Sequence, residues 1–87
     1  MITGMTDSGF AFSIDENALN DMELLDELVE VDKGNALAIS GVCSRILGPQ
    51  KAALYDHLRG EDGRVPMDAV TQAVAEIFKA CKEGKKS

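Results

Sequence analysis

The sequence predicts an all-α fold: a compact bundle of about four helices that carries a short extended, strand-like arm at its N-terminus. Three observations point there. Apolar residues recur with the helical period in four stretches, and Gly and Pro fall between those stretches. Only one run, Phe10-Ala11-Phe12-Ser13-Ile14, alternates large and small side chains with the period of a strand.

Residues 1–9 are small and polar and are expected to be disordered. The run at 10–14 has no second alternating run to pair with, so as an arm it must dock on a helix, pair with another copy or stay loose. Asn20 followed by Glu23 suits a helix start, Asp21 and Glu23 complement the positive helix end, and Gly34 stops the helix after Lys33, giving a first helix over 20–33. At 100° per residue it carries two adjacent apolar ridges, Met22-Leu25-Val29 and Leu24-Leu28-Val31, with Glu23, Asp26, Glu27 and Glu30 opposite. That arc is wider than one small core requires, so one ridge is expected to face a partner.

Asn35 can cap a second helix over 35–47, in which Arg45 is the only charged residue and which therefore reads as nearly all buried. Its small residues Ala36, Ser40 and Ser44 recur every four positions and would permit a close helix crossing, while Gly41 costs about 1 kcal/mol relative to Ala. Pro49 suits the first turn of a third helix over 49–59, with Ala53, Leu54 and Leu58 inward. Gly60-Glu61-Asp62-Gly63 reads as a turn. Pro66 then opens a fourth helix over 66–82 whose Met67, Val70, Ala73, Val74, Ile77, Phe78 and Cys81 form one stripe. One domain over 10–82 follows, with a solvated tail over 83–87.

A single domain of this length buries only about two thirds of the surface its unfolded chain exposes. Self-association or a partner is the expected way to bury more. The formal charge is −6, unevenly spread: residues 1–40 hold nine acids against one base, and residues 41–87 hold six acids against eight bases. That balance repels phosphate backbones and argues against nucleic acid as a partner. No stretch reaches the roughly 18 apolar residues of a membrane span, and the N-terminus lacks a basic start before an apolar run. A cytoplasmic protein is expected, with Cys43 and Cys81 as reduced core thiols.

Chemistry finds little purchase. Asp62-Gly63-Arg64-Val65 resembles the centre of a calcium loop, but with Gly63 at loop position 6 the ligand positions 1, 3 and 12 fall on Leu58, Gly60 and Ala69, which offer no side-chain oxygen. The only Asp-Ser, Asp7-Ser8, precedes every helix, unlike the modified serine of an acyl carrier protein. His57 has no nucleophile or metal partner in its pattern. No catalytic residue, metal ligand or cofactor is expected.

The residues instead mark surfaces. Phe10, Phe12 and Ile14 of the arm, with Leu24, Leu28 and Val31, are expected to form a protein interface, while Met22, Leu25 and Val29 face the core. Glu23, Asp26, Glu27 and Glu30 make an acidic face that suits docking of a basic partner.

Three strings, Ile14-Asp15-Glu16-Asn17-Ala18-Leu19-Asn20-Asp21-Met22-Glu23-Leu24-Leu25, Leu54-Tyr55-Asp56-His57-Leu58-Arg59 and Glu61-Asp62-Gly63-Arg64-Val65-Pro66, together resemble the small prophage tail assembly chaperones of long-tailed bacteriophages. The resemblance spans about residues 10–82. It implies a non-enzymatic, self-associating protein that keeps the long tape-measure protein soluble and recruits tail-tube subunits. It also implies ribosomal slippage near the end of the frame, for which Lys85-Lys86 would be encoded by an adenine run. The alternative is another phage or bacterial interaction module, such as a small acidic regulator or inhibitor.

Overall fold

The structure, a computed structural model, describes residues 1–84, with side chains described as far as Cys81. Those residues form an antiparallel hairpin, β1 (Ile2–Met5) and β2 (Ala11–Ile14), followed by four helices, α1 (Met22–Asp32), α2 (Ile39–Leu47), α3 (Gln50–Leu58) and α4 (Met67–Gly84). Short 3-10 turns at Glu16–Leu19 and Ala36–Ala38 lead into α1 and α2. The mostly helical architecture is the expected one, and the helix ends lie within two residues of their predicted positions except at the start of α2, which begins four residues late because Asn35 caps the 3-10 turn at Ala36–Ala38 instead. Of the tail expected over 83–87, residues 83–84 continue α4, and Lys85 and Lys86 lie outside the described residues.

The N-terminus corrects the sequence reading. Residues 1–9 are expected to be disordered and the run at 10–14 to lack a mate, yet Ile2 pairs with Ile14, Thr3 with Ser13, Gly4 with Phe12 and Met5 with Ala11. Gly4 hides this strand from a pattern search, because it supplies no side chain where the alternation calls for an inward one. The reason is the pairing itself: a Cβ on Gly4 would come within 2.8 Å of the tip of the Phe12 ring, which lies across the glycine. Both strands then turn their inward residues, Ile2, Phe12 and Ile14, into the core.

Thr6 organises the hairpin loop. It is buried, its N–H donates to the Phe10 carbonyl at 2.9 Å, and its hydroxyl accepts from the Phe10 N–H at 3.1 Å. Gly9 closes the turn by donating to the Thr6 carbonyl at 2.9 Å with φ near +96°, a conformation open to glycine at little cost. Side chains of the helices then fasten the hairpin down. Gln50 donates to the Ser13 carbonyl at 2.6 Å and accepts from the Ser13 N–H at 3.0 Å, occupying one position of the β2 edge as a neighbouring strand would. His57 Nε2 lies 3.0 Å from the Ser8 carbonyl, and Glu76 accepts from the Asp7 N–H at 2.9 Å.

The core runs from the hairpin through α2 to α4. Ile14, Val42, Cys43, Leu54 and Ile77 are wholly excluded from solvent, and Leu24, Leu47 and Cys81 nearly so. Burial raises the Cys43 thiol above its ordinary range, against a smaller opposing pull from Lys51. Three inward assignments are revised: Ala53 is exposed, Met67 sits beyond the end of the α4 stripe and is 59% exposed, and Ser40, Ser44 and Arg45 keep one side of α2 in solvent. Asp21, not Asn20, caps α1, accepting from the Glu23 N–H at 2.9 Å, because the 3-10 turn at Glu16–Leu19 carries the chain one residue further before the helix begins.

Phe12→Ala should cost about 3–5 kcal/mol in urea denaturation, most of the stability expected of so small a domain; a loss under about 1 kcal/mol would mean that the hairpin is not part of the core. Acid should loosen the same attachment. Hydrogen bonds from the Gln72 side chain and then from the Asp7 backbone hold Glu76 below the ordinary carboxylate range. A depressed folded-state value adds stability that is complete above the unfolded value, about 4.3 for glutamate, and is lost as pH falls through the folded one. Thermal melts from neutral pH into that acid window should therefore fall less steeply for Glu76→Gln than for the parent, and parallel curves would remove Glu76 from this role.

Candidate protein-contact surface

Helix α1 is fixed from one side by a single cation. Arg45, on the solvent side of α2, donates from Nε to Glu27 Oε1 at 2.6 Å, and its Nη1 lies 3.4 Å from Asp21 and 3.8 Å from Glu23. The hydrogen bond to Glu27 is the leading reason that the guanidinium holds its proton more firmly than usual. Gly41, one turn before Arg45, clears the space: any Cβ there would collide with the other oxygen of Glu27, which is buried without a hydrogen-bond partner. The close crossing of α1 and α2 is therefore made at Gly41. The Ala36, Ser40 and Ser44 strip, expected to make it, points elsewhere, and Ser40 and Ser44 accept hydrogen bonds from Lys51 Nζ at 3.2 and 2.8 Å.

This clamp rotates α1 and reverses the expected choice of ridge. With Glu23 and Glu27 drawn toward α2, Leu24 turns into the core and Leu28 and Val31 pack half-buried against it. Met22, Leu25 and Val29, expected in the core, stand 67%, 49% and 43% exposed. Phe10, Phe12, Ile14 and Leu24, expected at an interface, are core residues of the monomer. Of that set only Leu28 and Val31 reach the surface.

They do so in a groove. Helix α1 packs on α2 and on the 3-10 turn before it, leaving an apolar channel between itself and α4. One hollow of about 370 Å³ lies between Leu19, Met22, Leu25 and the end of α4, and a second of about 390 Å³ lies between Val31, Asp32 and Val74. Leu28 and Phe78 line both, so the hollows meet there. A third hollow of about 260 Å³, which shares Ile39 with the second, lies between the 3-10 turn at Ala36–Ala38, Tyr55 and the start of α4 and is flanked by Leu37, 83% exposed, and Met67. Sequence reasoning missed Phe78 and Leu37 as surface residues. Nothing in a one-dimensional pattern marks a stripe residue that overhangs the edge of its core.

The acidic face is less free than expected. Glu23 and Glu27 share Arg45, Glu30 pairs with Lys33 at 3.7 Å, and among the described residues Asp26 makes no ion pair. No three His, Cys, Asp or Glu side chains gather as a metal ion would need, and no helix is long and apolar enough to cross a membrane, among the described residues. Comparison of the chain with family models, with curated proteins and with solved structures gives no match.

A double-mutant cycle tests the crossing. Gly41→Ala gains about 1 kcal/mol of helix propensity but displaces Glu27 from Arg45, and a partly exposed pair of this kind holds a similar amount. Alone it should change stability by less than about 0.5 kcal/mol, and in a Glu27→Ala background it should stabilise by about 1 kcal/mol. Equal effects in the two backgrounds would place the crossing elsewhere.

Proposed function

We propose that this chain is a non-enzymatic protein-binding module acting as a phage tail assembly chaperone, which holds a tape-measure protein soluble and recruits tail-tube subunits in the bacterial cytoplasm. The observation that carries the binding role is the exposed pair Met22 and Leu25 on the wall of an apolar groove, with Val29 exposed on the same helix. A contiguous apolar surface on so small a domain exposes the free protein to aggregation and is explained by a partner that covers it. The tail-assembly role rests on the resemblance in the strings at 14–25, 54–59 and 61–66. Self-association belongs to the same proposal. The acidity of α1 favours one other reading, a small regulator or inhibitor that docks on a basic protein.

Co-expression with the tape-measure protein encoded beside it is the test. The chain should move that protein from the pellet to the soluble fraction and elute with it, and Leu25→Asp, which changes a half-exposed residue and leaves the helical dichroism intact, should abolish the rescue. A tape-measure protein that stays insoluble with the parent chain would set the chaperone role aside and favour the regulator.

A further inference from the structure

We infer that the groove between α1 and α4 takes a single amphipathic helix of about three turns from a partner protein, with Lys or Arg at each of its ends; this deepens the protein-binding role proposed above and rests on it. The groove's length follows from α1. Met22–Asp32 rises about 1.5 Å per residue, roughly 16 Å or three turns in all, and the two hollows that meet at Leu28 and Phe78 extend along it. A channel between two helices with aliphatic and aromatic walls suits the apolar face of a third, whose anchors at i, i+3 or i+4 and i+7 would fall against Leu25, Leu28 and Val31.

Charge selects the occupant. Among the described residues the charged side chains that line the groove are Asp21 at one end and Asp32 at the other, and no described Lys or Arg lines either hollow. Asp32 makes no ion pair among the described residues, and Arg45 reaches Asp21 only at 3.4 Å, from the α2 side. A second copy offering its own α1 would bring Asp26 and Asp32, which make no ion pair among the described residues, to a groove already bounded by Asp21 and Asp32, with no base within Met22–Asp32 to answer them. A segment with basic ends meets both aspartates at the separation the helix dictates. The charges fix register and orientation, and the apolar stripe supplies the contact.

Two labelled synthetic peptides of about 14 residues, sharing one Leu/Ala stripe and differing only in Lys or Glu at the ends, provide the probe in fluorescence anisotropy with the full chain. The Lys peptide should bind at least about tenfold more tightly than the Glu peptide, and the difference should shrink several-fold when salt is raised from about 0.05 to 0.3 M. Leu25→Glu should weaken the Lys peptide by about tenfold or more, whereas Leu37→Glu, beside the third hollow, should leave it unchanged. Equal binding of the two peptides, indifference to Leu25→Glu, or a chain whose groove is closed by dimerisation and excludes both peptides would overturn the inference. Rescue of the tape-measure protein without peptide binding would reject the groove alone. Peptide binding without rescue would reject the chaperone role and leave the groove standing.

Discussion

Small size governs this fold. In a chain of 87 residues the four helices share one core with the hairpin, which supplies Ile2, Phe10, Phe12 and Ile14 to it. At about 25 cal/mol per Å² of apolar surface removed from water, two phenylalanines and two isoleucines contribute on the order of several kcal/mol, comparable with the net stability of a domain this small. The helices answer with polar fastenings at Ser13, Ser8 and Asp7, each aimed at backbone of the hairpin that would otherwise face water alone. Two strands in isolation would not persist. Here they are one layer of a shared core.

Once the hairpin fills the core, the apolar arc of α1 has more surface than the interior can take. Which ridge goes inside is then decided from α2, by Gly41 and Arg45. These residues lie one turn apart on the same side of α2, the glycine admits the Glu27 carboxylate to close range, and the arginine binds it there. The clamp sits near the surface, so its contribution to stability is modest, but it is directional, and direction is what it supplies. Leu24 follows into the core, and Leu25 is left on the wall of the groove. The binding surface is thus a consequence of a polar contact on the far side of the same helix.

The sequence pattern reveals local features well and long-range ones poorly. Pro49, Pro66, Gly34 and the Gly60–Gly63 turn punctuate the chain by conformational preference that needs no neighbour, and the helices start and stop close to them. The hairpin depends on a pairing twelve residues apart, Ile2 with Ile14, and on a glycine whose value appears only when the Phe12 ring is laid across it. Likewise Met22-Leu25-Val29 and Leu24-Leu28-Val31 are equally apolar in the sequence, and the residue that separates them is on another helix. Arg45 as the lone charge of α2, four residues after Gly41 and set against an all-acidic helix, was the available signal for the clamp.

The central claim is that hairpin and helices form one cooperative unit, with the contact surface outside it on α1. Native-state hydrogen exchange read residue by residue tests this most directly, since it assigns each amide the free energy of the opening that exposes it. The ladder amides of β1 and β2 should exchange with the same opening free energy, and the same denaturant dependence, as those around Val74 and Ile77 in the middle of α4. Hairpin amides that exchange orders of magnitude faster than α4 would contradict the account and restore the N-terminal segment to a separate arm.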